Sequence, residues 1–412
     1  MPRRTLLLGL CLGMMSLPAS LAAAQSPAAA QSPAATAVPS GSPACAPVQQ
    51  PNAAHGSPPL LKGRWRALPE APIGYRDGPV VAWTGRELLV WGGAGRARRT
   101  GAAYQPLTRH WRPIPAAPMI PDPAIPAVWT GTELLVWGGR LPGSDRFSWP
   151  RNEVAAYDPA TDSWRSMASP EGASGPFTDL AIWTGTEMLA WGAFEEGARP
   201  RERLLAYSPA TDTWRQTADA PVSPGTGTMA WTGSELVVVG YGGALDDDAV
   251  DAHAAVYAPA TDVWRDLGPL PMSGNGMPAA HATPGDVLLM NAYQWSDESP
   301  ADGEATNHDL VLDPITGCGS VPVGAPWTSS TGSPAAWTGN LVMFPGHRGL
   351  AYDPSTDTWQ RLPRAPGLRE PIIGSATWAG DRLIVLAGPF LAEVEPKRGG
   401  PLRPAYEFIP TP

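Results

Sequence analysis

The chain has 412 residues and a formal net charge of -9, and no basic stripe survives along it, so nucleic acid is excluded as an expected partner. Hydrophobic residues make up 43% of the chain, enough apolar material for a large folded core, and the 3 cysteines fit no zinc spacing. No phosphate loop, nucleotide motif or Ser-His-Asp signature stands out, so no metal and no cofactor is expected.

In chain order, Arg3 and Arg4 precede an apolar run from Thr5 to Leu21, and Ala22-Ala23-Ala24 offers a small-residue cleavage site. Residues 1–24 therefore read as a secretory signal peptide, too short to span a membrane. Leu10 before Cys11 is larger than a lipidation site accepts. With arginine dominating the positive charge, as in GC-rich genomes, the expectation is a secreted or periplasmic bacterial protein. No stable membrane insertion is expected after cleavage. Residues 25–58 are dominated by Ala, Pro, Ser and Gln, a composition that buries too little apolar area to order itself, and read as a disordered spacer.

From residue 59 onward the chain repeats. Trp-Thr-Gly recurs at Trp83, Trp129, Trp183, Trp231 and Trp337, with Trp-Ala-Gly at Trp378 and a degenerate Thr283-Pro284-Gly285 between. About twenty residues later comes a Tyr-x-Pro turn, as at Tyr157-Asp158-Pro159 and Tyr352-Asp353-Pro354, followed by Trp111, Trp164, Trp214, Trp264 or Trp359. A period of roughly 50 residues marks a propeller or solenoid, whose units cannot bury their own faces alone.

The first unit reads as four short strands: Pro79–Trp83, Glu87–Trp91, one beginning at Ala102–Tyr104, and His110–Ile114, punctuated by Gly and Pro. Seven such sheets predict an all-β, seven-bladed propeller over residues 59–412. In blade 5, Thr283 replaces the first Trp, Leu312 the Tyr and Gly319 the last Trp. His281 then aligns with Val81, Ala127, Ala181, Met229, Ala335 and Ala376, and reads as a satisfied buried histidine before a catalytic base. The last unit has Trp378, the strand Leu383–Leu386 and Tyr406 but no following Trp; Trp65-Arg66-Ala67-Leu68-Pro69 supplies that strand and closes the ring.

The repeated residues read as scaffold. Trp in first and fourth strands fills space between blades, and Asp162, Asp212, Asp262 and Asp357 occupy turns where Asp bonds its own backbone. Length variation falls on one face, in the loops joining second to third strands, and variable loops on a rigid scaffold carry function. Three of the 18 tryptophans fall outside the pattern, Trp149, Trp295 and Trp327, all in loops of that face. Arg76, Asp77, Asp122, Asp179 and Asn275 should rim the channel beside them. Cys45 and Cys318 are a candidate disulfide pair tethering the leader across the uniform face.

The paired glycines Gly92-Gly93 and Gly138-Gly139, the Tyr-x-Pro turn and the Trp opening the fourth strand resemble the kelch and galactose-oxidase-like propellers. That resemblance implies the fold and leaves the activity open, because such propellers include enzymes, lectin-like modules and protein-binding scaffolds. A copper radical oxidase would need a thioether-forming Cys with Tyr and His ligands, and Cys318 falls on the wrong face. The expectation is a monomeric, non-catalytic propeller binding a glycan or protein ligand through its variable face. The alternative is a sugar-modifying enzyme of the sialic-acid-mutarotase-like kind, using Arg76, Asp77, Asp179 or His281 in a channel pocket.

Overall fold

Two kinds of turn, each repeated, set the strand pattern. In the first, the amide of Thr84 donates to Glu87 O at 3.0 Å while the Thr84 hydroxyl oxygen accepts from the Arg86 and Glu87 amides. The same backbone closure recurs at Thr130, Thr184, Thr232, Thr283, Thr338 and Ala379. In the second, Asp158 accepts the amide of Ala160 two residues on, as Asp313 and Asp353 accept those of Ile315 and Ser355. Between these turns the apolar runs have nowhere to bury themselves except against a neighbouring sheet.

The structure, a computed structural model, describes residues 58–411 apart from 75, 77, 94–98, 123–124, 140–151, 197–198, 224–226, 242–250, 274–278, 284, 291–309, 321–333, 347–348, 366–372 and 388–404. All described residues belong to one unit, Gly41–Pro412, and none is helical. Seven four-stranded antiparallel sheets form the blades of a β-propeller. Blade 1 comprises Val80–Trp83, Leu88–Trp91, Gly101–Gln105 and His110–Ile114. Blade 7 consists of Ile373–Trp378, Leu383–Ala387 and Ala405–Pro410, completed by the N-terminal strand Gly63–Ala67. The expected closure is therefore present, and it removes a raw sheet edge. First strands of neighbouring blades touch one another around the ring, which makes them the innermost strands.

One register runs through the blades and corrects two alignments. In blade 1, Trp83 pairs with Leu88, Leu88 with Tyr104 and Tyr104 with Trp111. In blade 7 the corresponding series is Trp378, Leu383, Phe408 and Trp65, so Phe408, not Tyr406, holds the tyrosine position. In blade 5 it is Ala282, Val287, Leu312 and Gly319, so Ala282, not Thr283, replaces the first Trp. His281 accordingly matches Ala82, Val128, Ile182, Ala230, Ala336 and Thr377 rather than the residues one earlier. A one-residue slip puts a side chain on the other face of its sheet, so the difference is physical.

The core is seven clusters, each lying between two adjacent blades; that between blades 1 and 2 gathers Leu89, Trp91 and Ile114 with Leu134, Val136 and Tyr157. Second-strand Trp91, Trp137 and Trp191 are fully buried there. Each fourth-strand Trp tilts against the aromatic residue of its own blade's third strand, at 5.0 Å for Tyr104–Trp111, 5.1 Å for Tyr157–Trp164 and 5.2 Å for Phe408–Trp65. In five of these six blades the indole N–H then reaches back to the preceding blade. Trp111 donates to Pro69 O, Trp164 to Pro115 O, Trp214 to Ala168 O, Trp264 to Ala218 O and Trp65 to Pro363 O. These bonds lace blade to blade. Glycine is required where the second strand ends, because a Cβ on Gly139 at φ +134° would lie 2.3 Å from Ile120 O.

Candidate functional site

Arg76 is the channel-rim residue whose surroundings are best defined, and it is buried at 7% exposure. Its guanidinium donates to Gly92 O at 3.0 Å, Thr100 O at 3.2 Å and the Thr100 hydroxyl at 2.8 Å. Burial lowers its pKa. It pins the start and end of the loop between the second and third strands of blade 1. Asp122 is half-buried and already engaged. Asp179 lies within the innermost strand of blade 3, Ala173–Trp183. Asp77, Asn275, Trp149, Trp295, Trp327 and Cys45 lie outside the described residues. Cys318 is disulfide-bonded and sits in the turn between the third and fourth strands of blade 5.

The described groove is elsewhere. It lies on the uniform face, between blades 1 and 2, with a volume of about 750 Å³. Arg86, Glu87 and Arg112 of blade 1 face Trp129, Glu133 and Asp158 of blade 2 across it. Arg112 is the keystone. Its Nε and Nη2 grip Glu87 at 3.1 and 2.7 Å, and its Nη1 reaches Asp162 at 2.8 Å and the Tyr157 hydroxyl at 3.1 Å. Tyr157 in turn donates to Asp162 Oδ1 at 2.5 Å. Blades 2 and 3 repeat the arrangement with Arg165 on Glu133 at 2.8 and 2.7 Å, and Tyr207 on Asp212 at 2.6 Å. Blades 3 and 4 do so with Arg215 on Glu187 at 3.1 and 2.8 Å, and Tyr257 on Asp262 at 2.6 Å.

These networks correct the reading of the repeated aspartates. Asp162, Asp212, Asp262 and Asp357 take positive φ of 51 to 54°, a conformation Asp tolerates, and accept a tyrosine hydroxyl rather than bonding their own backbone. The hydrogen bond from Tyr207, helped by the Ala168 amide, holds Asp212 below the usual carboxylate range. Burial first, and then the hydrogen bond to aspartate, pushes Tyr157, Tyr207 and Tyr257 each up to about 12. The hydrogen bond to Glu87 keeps Arg112 firmly protonated. Chemically, the groove offers fixed charges and hydroxyls.

The first-strand tryptophans pack between blades as expected, each against one of the inter-blade clusters. Trp83, Trp129, Trp183, Trp231, Trp337 and Trp378 are all partly exposed, unlike the buried second-strand set. None of the six indole N–H groups donates to a described residue, whereas five of the fourth-strand indoles do. No spacing rule separates the two classes, because both read as Trp at a strand end.

Blade 5 is the outlier in three dimensions as well. His281 packs edge-on against Phe344 of blade 6 at 5.9 Å, and its buried Nε2 has no hydrogen-bond partner among the described residues. It is therefore not the satisfied histidine expected; burial holds its pKa at about 4. No family model matches the chain, and no curated protein does.

Proposed function

We propose that this chain is a secreted, non-catalytic propeller of the kelch-like kind that binds a glycan or protein ligand. The second-to-third-strand loops that vary in length are the proposed binding face, with Trp149, Trp295 and Trp327 as stacking or anchoring residues. Asp77, Asp122, Asp179 and Asn275 are the proposed polar rim.

The observation that carries this reading is the commitment of the described polar groups. Arg76 is tied to two carbonyls and a hydroxyl, and Arg112, Glu87 and Glu133 are paired in networks that cross between blades. A general acid–base enzyme needs a group whose proton can move near neutral pH. A binder needs the reverse, rigid partners whose ordering cost is met before the ligand arrives. The glycine pairs at positive φ, Gly92-Gly93 and Gly138-Gly139, support the kelch-like assignment.

A glycan array and a ligand pull-down on the full chain test the proposal. A variant with Trp149, Trp295 and Trp327 all changed to Ala is expected to lose the ligand found by at least roughly tenfold. Mutarotation of free sialic acid by the unaltered protein, abolished by Asp77→Asn, would overturn the proposal in favour of an enzyme.

A further inference from the structure

The groove between blades 1 and 2 lies on the opposite face from the proposed loops. Trp91 and Trp137 are wholly buried between blades, at 1% and 0% exposure. Trp129 packs one side against the cluster between blades 1 and 2 and lines the groove with the rest partly exposed, its indole N–H accepted by no described residue. An aromatic ring with one apolar body and one unused donor suits a ligand that is apolar on one side and hydroxylated on the other.

The walls agree with that chemistry. Arg112 is fixed in place by Glu87, Asp162 and Tyr157, so its position costs nothing further on binding. Arg86 and Arg112 stand against Glu87, Glu133 and Asp158, a mixture of signs that builds no strong field and favours a neutral ligand over a polyanion. About 750 Å³ falls within the size range of small-ligand sites.

We infer that this groove is a carbohydrate subsite for a neutral oligosaccharide, with Trp129 as its stacking platform. The inference rests on the binding reading above and deepens it by naming a ligand class and a second face. The same residue types recur at the next two seams, Trp183 with the Arg165–Glu133 pair and Trp231 with the Arg215–Glu187 pair. The seam between blades 4 and 5 lacks that set, because Ala282 stands in the tryptophan position. Repetition on one rigid face raises avidity for a polymer without new contacts.

The test uses the full chain and a panel of neutral gluco-, galacto-, manno- and N-acetylhexosamine oligomers, measured by calorimetry. Trp129→Ala is expected to weaken the best-binding oligomer roughly tenfold. Thr132 is an exposed turn residue on the groove, so Thr132→Tyr blocks it without touching the core and is expected to weaken binding as much. Unchanged affinity in both variants overturns the inference. If binding is lost only in the Trp149, Trp295 and Trp327 variant, the groove is refuted while the binding function stands. If no oligomer in the panel binds, the groove falls, and a protein ligand captured through the loop face would still uphold the wider reading.

Discussion

His281 shows what one residue in the wrong company does. Its imidazole packs against Phe344 with a buried Nε2 that has no partner among the described residues, and desolvation holds its pKa at about 4 against an ordinary 6.5. The unfolded chain takes up a proton below 6.5 that the folded chain refuses until about 4, so stability is lost as pH falls through that window. Replacing it should remove that dependence and an unsatisfied buried nitrogen together. His281→Leu is expected to be at least as stable at neutral pH and to flatten the stability profile between pH 6.5 and 4, read by urea unfolding. An unchanged slope would mean that His281 is not the group responsible. That a histidine sat in blade 5 was visible in the sequence. Its face was not, because Ala282 in place of Trp left nothing to mark the register, and one residue of slip reverses the side chain's direction.

At the scale of a strand, the closing blade carries the largest single departure from the repeat. Glu407 takes the place of Ala103, Ala156 and Ala206 in the third strand and is fully buried. Arg66 of the N-terminal strand, Arg382 of its own blade and Arg109 of blade 1 converge on it at 2.5, 2.9 and 2.6 Å. Arg109 stands where other blades have aspartate, so the charge pattern is inverted at the join. Glu407→Gln, which leaves three guanidinium groups around a neutral side chain, is expected to cost about 3 kcal/mol or more. Arg165→Met, at a seam where the arginine side chain is 41% exposed, should cost about 1 kcal/mol or less. Equal losses by denaturant titration would show that closure carries no special stability. The seam tyrosines make a second test at this scale. Tyr157, Tyr207 and Tyr257 keep their protons to about 12, so their stabilisation is present below pH 10 and lost from there to about 12. Tyrosinate absorbance is expected to rise late for these three, together with unfolding; a full rise near pH 10 in the folded protein would contradict it.

Strand order and closure were legible because each Trp, Tyr-x-Pro and Gly repeats one packing solution seven times. Seam chemistry was not, since Arg112 meets Asp162 fifty residues away and Arg165 meets Glu133 across thirty-two. Local spacing reports a residue's own turn, whereas Arg165 reaches a different turn of its own blade and Arg112 a turn of the next.

For the whole ring, the blades are not equally well joined. Blade 5 has Gly319 where others place the tryptophan that laces back, and Ser320 in the place of the seam arginine. Leu312 in place of tyrosine supplies no hydroxyl, and Asp286 in place of glutamate faces Asp313, its pKa raised by burial and by that like charge. The disulfide-bonded Cys318 belongs to this weakest blade. Upstream of blade 7, the chain from Pro58 to Leu61 runs parallel to the outer strand of blade 6, with Arg361 donating to Pro59 O and Leu61 to Arg361 O. That path stops one blade short of Cys318, and the thirteen residues back to Cys45 reach about 40 Å when extended. A Cys45–Cys318 bond would therefore strap the leader over the seams that lack lacing. Peptide mapping without reductant is expected to recover that pair, and Cys45→Ser or reduction to lower stability by about 2–4 kcal/mol. Amide exchange should rise first in Val287–Met290 and Leu310–Leu312 when the strap is cut. A free thiol at Cys45 in the oxidised protein, or exchange that rises evenly around all seven blades, would show that the ring holds blade 5 without it.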